Sequence, residues 1–176
     1  RYSARASRGR CRALTAEPHR LAERIRDEVP RLERTILRSQ ARWERALRST
    51  EDADAFLDSA ALKLHGFYSA LERIWELVAT QVDESLPVGD GWHIVLLRLM
   101  AASVEGARPA VISETTAAEL DEMRRFRHVV RNVYSDTLDR DRMRRVFGSI
   151  PQLWPRLKSE LLVFADFLEA LDNSST

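Results

Sequence analysis

Cysteine occurs once, at position 11. A lone thiol closes no internal disulfide and builds no metal site, so a reducing, cytoplasmic location is the expectation. The four histidines never fall at a spacing that pairs them with carboxylates, which argues against zinc, and no cofactor is expected. Glycine and proline number six each, too few for a turn-rich all-β chain. No run of about 18 apolar residues occurs, so no segment is expected to span a membrane. The start has neither Met nor an apolar run, which speaks against a secretory signal. There is no glycine-rich phosphate loop and no serine-nucleophile motif, so nucleotide-loop and serine-hydrolase chemistry are set aside.

What the chain does contain is helix-forming. Leu, Ala, Glu and Arg dominate, and all four are good helix formers. Its 176 residues suit one domain with a real core. Hydrophobic residues make up 44% and charged residues 31%. The formal net charge of +1 is unevenly spread. Arg1, Arg5, Arg8, Arg10 and Arg12 lie within residues 1–14, which hold no acid; taking those five from 28 basic side chains leaves 23 against 27 acidic. The body is therefore not broadly basic, and any attraction for phosphate must come from a local patch. Residues 1–14 are expected to be a disordered basic tail, with so little to bury. They have the composition of a transit peptide, an expression remnant or an upstream extension. Residues 15–176 form the expected domain.

Helix one is expected from about Pro18 to Arg48, with Thr15 as a plausible cap and a kink or split at Pro30. Its apolar residues are Leu21, Ile25, Leu32, Ile36, Trp43 and Leu47. Helix two runs from about Asp52 to Val82, with a wide stripe from Phe56 to Val78. Gly66 inside it costs about 1 kcal/mol relative to Ala, so close helix packing is its expected justification. The segment from Leu86 to Gly91 reads as a loop. Helix three runs from about Trp92 to Ser103, helix four from Ser113 or Thr115 to about Tyr134, and helix five from about Asp139 to Leu171. Pro151 and Pro155 predict a break between Gly148 and Pro155. The fold class is all-α, an up-and-down bundle of about five helices.

Helix four carries the most distinctive residues. At about 100° per residue, Leu120, Met123, Phe126, Val129, Val130 and Val133 share one arc and should face the core. Arg124, His128, Arg131, Asn132 and Ser135 share the opposite arc, with Arg127 and Tyr134 at the border. Four arginines and a histidine fall within eight residues, on a helix with no acid after Glu122. Like charges on one face repel, and an unpaired charge at the core border is costly. The cluster asks for an anion: a phosphate, a partner's carboxylate, or acids elsewhere in the chain. Guanidinium forks suit phosphate, and internal salt bridges on a solvated face are the plainer alternative.

The octet Arg127-His128-Val129-Val130-Arg131-Asn132-Val133-Tyr134 resembles the signature of the HEPN superfamily, in particular its HepT-like branch. Arg127 matches the signature Arg, His128 its polar residue and Tyr134 its Tyr. The position of the family His is Asn132. Leu64-His65-Gly66-Phe67-Tyr68-Ser69-Ala70-Leu71-Glu72-Arg73-Ile74 looks like the second-helix pattern of HepT-like proteins. Gly91-Trp92-His93, Arg108-Pro109 and Phe164-Ala165-Asp166-Phe167-Leu168 look familial too, so the resemblance covers roughly residues 16–172. It implies a helical bundle that forms a homodimer with two octets beside one cleft. It also implies a toxin–antitoxin setting, in which a metal-independent ribonuclease toxin is neutralised by a cognate minimal nucleotidyltransferase that transfers AMP to the motif tyrosine.

On that resemblance Arg127, His128 and Asn132 are the candidate catalytic residues. Arg124 and Arg131 are candidates for phosphate or RNA binding, Tyr134 is the candidate modification site, and no metal is involved. RNA cleavage without metal needs a group to move the proton of the ribose 2′-OH, and imidazole suits this. The amide of Asn132 does not titrate usefully, though it can hydrogen-bond a phosphate. His128 is the nearby imidazole, one turn back. The alternative is a non-catalytic HEPN binding subunit, a substrate-binding subunit of the nucleotidyltransferase or an antitoxin-type partner. Among the remaining residues, His65 is expected to be a hydrogen-bonded core residue, His93 structural and His19 exposed. The four tryptophans are expected in core or interface, and Glu72 is the candidate internal partner of the arginine cluster.

Overall fold

The computed structural model describes the backbone of residues 6–132 and 139–174, and the side chains of residues 17–126 and 139–171. Five helices and no strand occur among them: α1 (Ala6–Arg48), α2 (Ala53–Gln81), α3 (Trp92–Ala101), α4 (Glu114–Asn132) and α5 (Arg140–Ser174). The all-α bundle expected from the sequence is the fold. None of these helices is long and apolar enough to cross a membrane.

α1 packs on α2 and α5, while α4 packs on α2, α3 and α5. The four longer helices thus form a ring in which α1 and α4 are diagonal, and short α3 lies against α2 and α4. The stripes expected for α1 and α2 make the core. Leu21, Ile25, Leu32, Ile36 and Trp43 are buried from α1, and Leu57, Leu64, Phe67, Leu71, Ile74, Trp75 and Val78 from α2. Trp154 is buried with them and Trp92 is half-buried, so the tryptophans sit in or against the core. Leu47 is the exception, 59% exposed in the last turn of α1. Buried Ser39 fills the α1–α2 seam, its hydroxyl donating to the Ala60 carbonyl at 2.7 Å.

Three local expectations are corrected. α1 begins at Ala6, ahead of the expected start near Pro18, and runs on through Pro18 and Pro30 as one helix, so Pro30 does not split it. α5 likewise continues through Pro151 and Pro155 with no break. In each case a proline removes one backbone hydrogen bond, and the rings of Pro30, Pro151 and Pro155 are exposed and so displace no core side chain. Buried Val29 and Leu32 on one side, and Ile150, Leu153, Trp154 and Leu157 on the other, hold the helices to the core across those positions. Gly66 is exposed and a Cβ there would meet nothing within 4 Å, so close packing is not its reason.

A polar knot fixes the connection from α3 to α4. Val104 N–H donates to the Arg108 carbonyl around Gly106, and the amides of Val111 and Ile112 both donate to Met100. Arg108 is buried against Asp83 at the end of α2. Its Nε and Nη2 reach the two carboxylate oxygens at 2.6 and 2.7 Å, and its other three N–H groups donate to the carbonyls of Ala102, Pro109 and Leu99. All five donors of the guanidinium are used, which ties the ends of α2 and α3 to the start of α4.

Candidate functional site

α4 starts where Ser113 caps it. The Ser113 hydroxyl accepts the Thr116 N–H at 3.2 Å, satisfying one of the free amides of the first turn. Glu160 of α5 accepts from the Ser113 N–H and the Thr116 hydroxyl with one oxygen, placing a carboxylate at the positive end of the helix. Leu120, Met123 and Phe126 are buried on the side the periodicity indicates. Arg127, His128, Val129, Val130, Arg131 and Asn132 continue the helical backbone as its last turns, and their side chains lie outside the described residues. Val133, Tyr134 and Ser135 lie outside them altogether.

Part of the counter-charge for the arginines comes from α4 itself. Asp121 accepts from Arg124 Nε at 2.7 Å and from Arg125 Nε at 2.9 Å. Burial pushes the Asp121 carboxyl up, but the hydrogen bonds and charges of Arg124 and Arg125 more than reverse this and hold it below the ordinary aspartate range. Arg124 is therefore held in an ion pair one turn before the octet.

Opposite this helix, α2 has two buried rows because it lies between two neighbours. One row faces α1, where Ala60 takes the Ser39 bond. The second row, Ala61, His65, Tyr68, Glu72, Trp75 and Ala79, advances by alternating steps of four and three. It is buried except for half-buried His65, and polar groups are set into it. Tyr68 is wholly buried, edge-on to Trp75 at 6.1 Å between ring centres. His65 Nδ1 is 3.1 Å from the Ser69 hydroxyl, a hydrogen-bonded histidine as expected.

Glu72 is the centre of this row. Its carboxylate is 3% exposed and lies 2.8 Å from Nδ1 of His93, the second residue of α3. The His93 ring also leans on Trp92, with ring centres 3.7 Å apart. Gly91 takes a left-handed conformation with φ of 77° immediately before α3, which suits glycine and turns the chain into the helix. The His93 side chain is 26% exposed, so the ring reaches the surface while the Glu72 side chain stays buried. A buried carboxylate this close to the ring restrains the imidazole, the side-chain type most often used for proton transfer. No expectation paired Glu72 with His93; the expected pairing of Glu72 with the arginine cluster falls on Arg127 and Arg131, whose side chains lie outside the described residues. The available signal was the second row of α2, where a glutamate at a core position demands a polar partner.

Fold and site together define an all-helical bundle with a polar seam between α2, α3 and α4 and an arginine-rich end to its fourth helix. The chain belongs to the HepT-like family: residues 59–168, from the first turns of α2 to near the end of α5, match the family model described as HepT-like protein. No curated protein and no solved structure matches the chain.

Proposed function

We propose that the protein is the toxin of a toxin–antitoxin pair, a metal-independent RNA-cleaving HepT-like protein restrained by a cognate minimal nucleotidyltransferase. The observation that supports this best is the position of the octet. It lies inside the matched span, and its residues up to Asn132 form the last turns of α4, the helix that packs on α2 and α3. In this reading the protein is a homodimer with α4 near the two-fold axis, so that two octets border one cleft.

Cleavage proceeds by attack of the ribose 2′-oxygen on the adjacent phosphorus. The 2′-OH gives its proton to an imidazole, the P–O5′ bond breaks, and a proton delivered to the 5′-oxygen completes the step. Arg127 and Arg131 neutralise the phosphate, and the amide of Asn132 hydrogen-bonds to it. Because Asn132 cannot move the proton, a different imidazole must. Two candidates are His128 on α4 and His93 on α3, the latter held 2.8 Å from Glu72. Tyr134, seven residues after Arg127, receives AMP from the partner; the added phosphate is drawn to Arg127 and Arg131 and fills the space an RNA phosphate needs.

The test is RNA cleavage by unmodified protein in the presence of a chelator. Arg127→Ala should abolish it. Of His128→Ala and His93→Ala, the one that removes the working imidazole should lower the rate by about 10²-fold or more with the fold intact. Incubation with the nucleotidyltransferase and ATP should add AMP mass that Tyr134→Phe does not acquire. Absence of cleavage by unmodified protein would support the second reading, a non-catalytic binding subunit held by the nucleotidyltransferase, which Asn132 favours.

A further inference from the structure

A second concentration of positive charge lies away from the octet, on the outside of the α1–α2 hairpin. Arg38, Arg42 and Arg45 follow one another at spacings of four and three, so they share one face of α1. With Ala41 and with Lys63 of α2 they line a depression of about 330 Å³. Ala41 and Arg45 also line a neighbouring depression of about 570 Å³ that extends to Arg48, Asp52 and Phe56 at the hairpin turn. The two adjoin at Ala41 and Arg45, and together they are treated as one groove. From Arg38 to Arg48 it follows α1 for about 15 Å, at 1.5 Å per residue. That is about four nucleotides at the ~3.4 Å spacing of a stacked strand.

The cations in this groove are poorly compensated. Among the described residues, Arg38, Arg42, Arg45 and Lys63 have no carboxylate within ion-pair distance, unlike Arg108 with Asp83 or Arg156 with Glu119. The acids present are Glu44, paired with Arg48 at 3.4 Å, and Asp52 at the turn. Two of the guanidiniums are already positioned: those of Arg42 and Arg45 lie 5.8 and 5.2 Å from the centre of the Phe56 ring. Cation–π contact of this kind restrains the side chains before a ligand arrives, which lowers the entropy lost on binding. Only Ala41 and Phe56 in the lining are apolar, unlike the charge-depleted core of a protein interface.

The groove also lies at the end of the bundle where α4 stops. Arg140, the first residue of α5, pairs with Asp54 in the first turn of α2 at 2.8 Å. Trp43 near the end of α1 stacks on Phe147 near the start of α5 with ring centres 5.2 Å apart. α2 lies between the groove and α4, so a strand can pass over the start of α2 from one to the other.

We propose that this groove binds the sugar–phosphate backbone of single-stranded RNA and holds a strand whose next segment lies at the octet. The proposal rests on the reading of the protein as RNA-directed. It is tested by titrating the full chain against a fluorescent single-stranded RNA of about 20 nucleotides at several salt concentrations. Arg42→Glu/Arg45→Glu should weaken binding at least tenfold and reduce the log–log salt slope by about 1.4, the value for two lost phosphate contacts. Arg38→Glu/Lys63→Glu should do the same, and it carries the test if the first pair disturbs folding, since neither residue contacts Phe56. Arg127→Ala should lose cleavage yet keep most of the groove's binding. Unchanged RNA binding in both folded charge-reversal pairs would overturn the groove while leaving the RNA reading in place. No RNA binding by the unaltered protein would overturn both. Displacement of RNA by polyglutamate at equal charge concentration would assign the groove to an acidic polypeptide and overturn its assignment to RNA.

Discussion

The Glu72 carboxylate and the His93 imidazole meet at 2.8 Å across the junction of α2 and α3, with the glutamate buried and the histidine reaching the surface. A buried carboxylate needs such a partner, and the partner is given a defined orientation in return.

Loss of this pair should be visible in stability. Glu72→Ala should lower the unfolding free energy by about 1–3 kcal/mol, since it strips a buried polar group and removes the carboxylate that lies against the His93 ring. Glu72→Gln, which keeps an acceptor oxygen, should cost less. Urea titration of the two variants checks this, and equal stability of Glu72→Ala and the parent would mean that the pair does not form.

Arg108 should matter more. Its guanidinium is buried and makes five hydrogen bonds, two of them to Asp83. Arg108→Ala leaves Asp83 charged and buried, and should cost about 3–5 kcal/mol. Arg108→Lys, with three donors in place of five, should recover only part of that. The double variant Arg108→Ala/Asp83→Ala should be less damaged than the sum of its singles. Thermal unfolding followed by circular dichroism measures all four.

Gly66 offers the opposite sign. It is exposed inside α2, and an added Cβ meets no neighbour. Gly66→Ala should stabilise the protein by about 1 kcal/mol through helix propensity and raise the urea midpoint. Gly91→Ala, at a φ of 77°, should destabilise it by about 1–2 kcal/mol.

Acid should weaken the fold in a way that Asp121 reports. Its carboxyl is held below the ordinary value of 3.8 despite its burial, because Arg124 and Arg125 bond to its charged form. Glu33 is held low by the hydrogen bonds of Lys158 and Trp154. A group whose pKa is lower folded than unfolded stabilises the fold above its unfolded value, and that stabilisation is lost as pH falls through its folded value. Asp121→Asn should therefore be less stable than the parent near neutral pH, and the gap should close as pH falls below about 4. Denaturant midpoints across that range give the measurement; a gap that does not depend on pH would show that the charge of Asp121 contributes nothing.

Legibility followed the range of the interaction. The helices and their stripes were readable because burial repeats at helical spacing along a contiguous segment, as Leu21 to Trp43 and Leu57 to Val78 show. The prolines misled because a lost hydrogen bond is a local cost, whereas the packing of Ile150, Leu153, Trp154 and Leu157 that outweighs it comes from other helices. The basis of the family assignment was also in the sequence, since the octet is a contiguous string. The partners of charged residues are readable only where they are near in sequence: Asp121, three residues before Arg124, fits the alternative of salt bridges on a solvated helix face.

The sequence by itself determined an all-helical chain, its core stripes, its family and the position of the octet near the end of a helix, since each of these depends on residues close together in the chain. Tertiary structure decided which charges are satisfied. It joined Glu72 to His93 and Arg108 to Asp83, and it set Lys63 of α2 beside Arg38, Arg42 and Arg45 of α1 with no carboxylate within ion-pair distance among the described residues. Charge pairing acts over a few ångströms of space, and only the folding of helices against one another brings such distant positions within that distance.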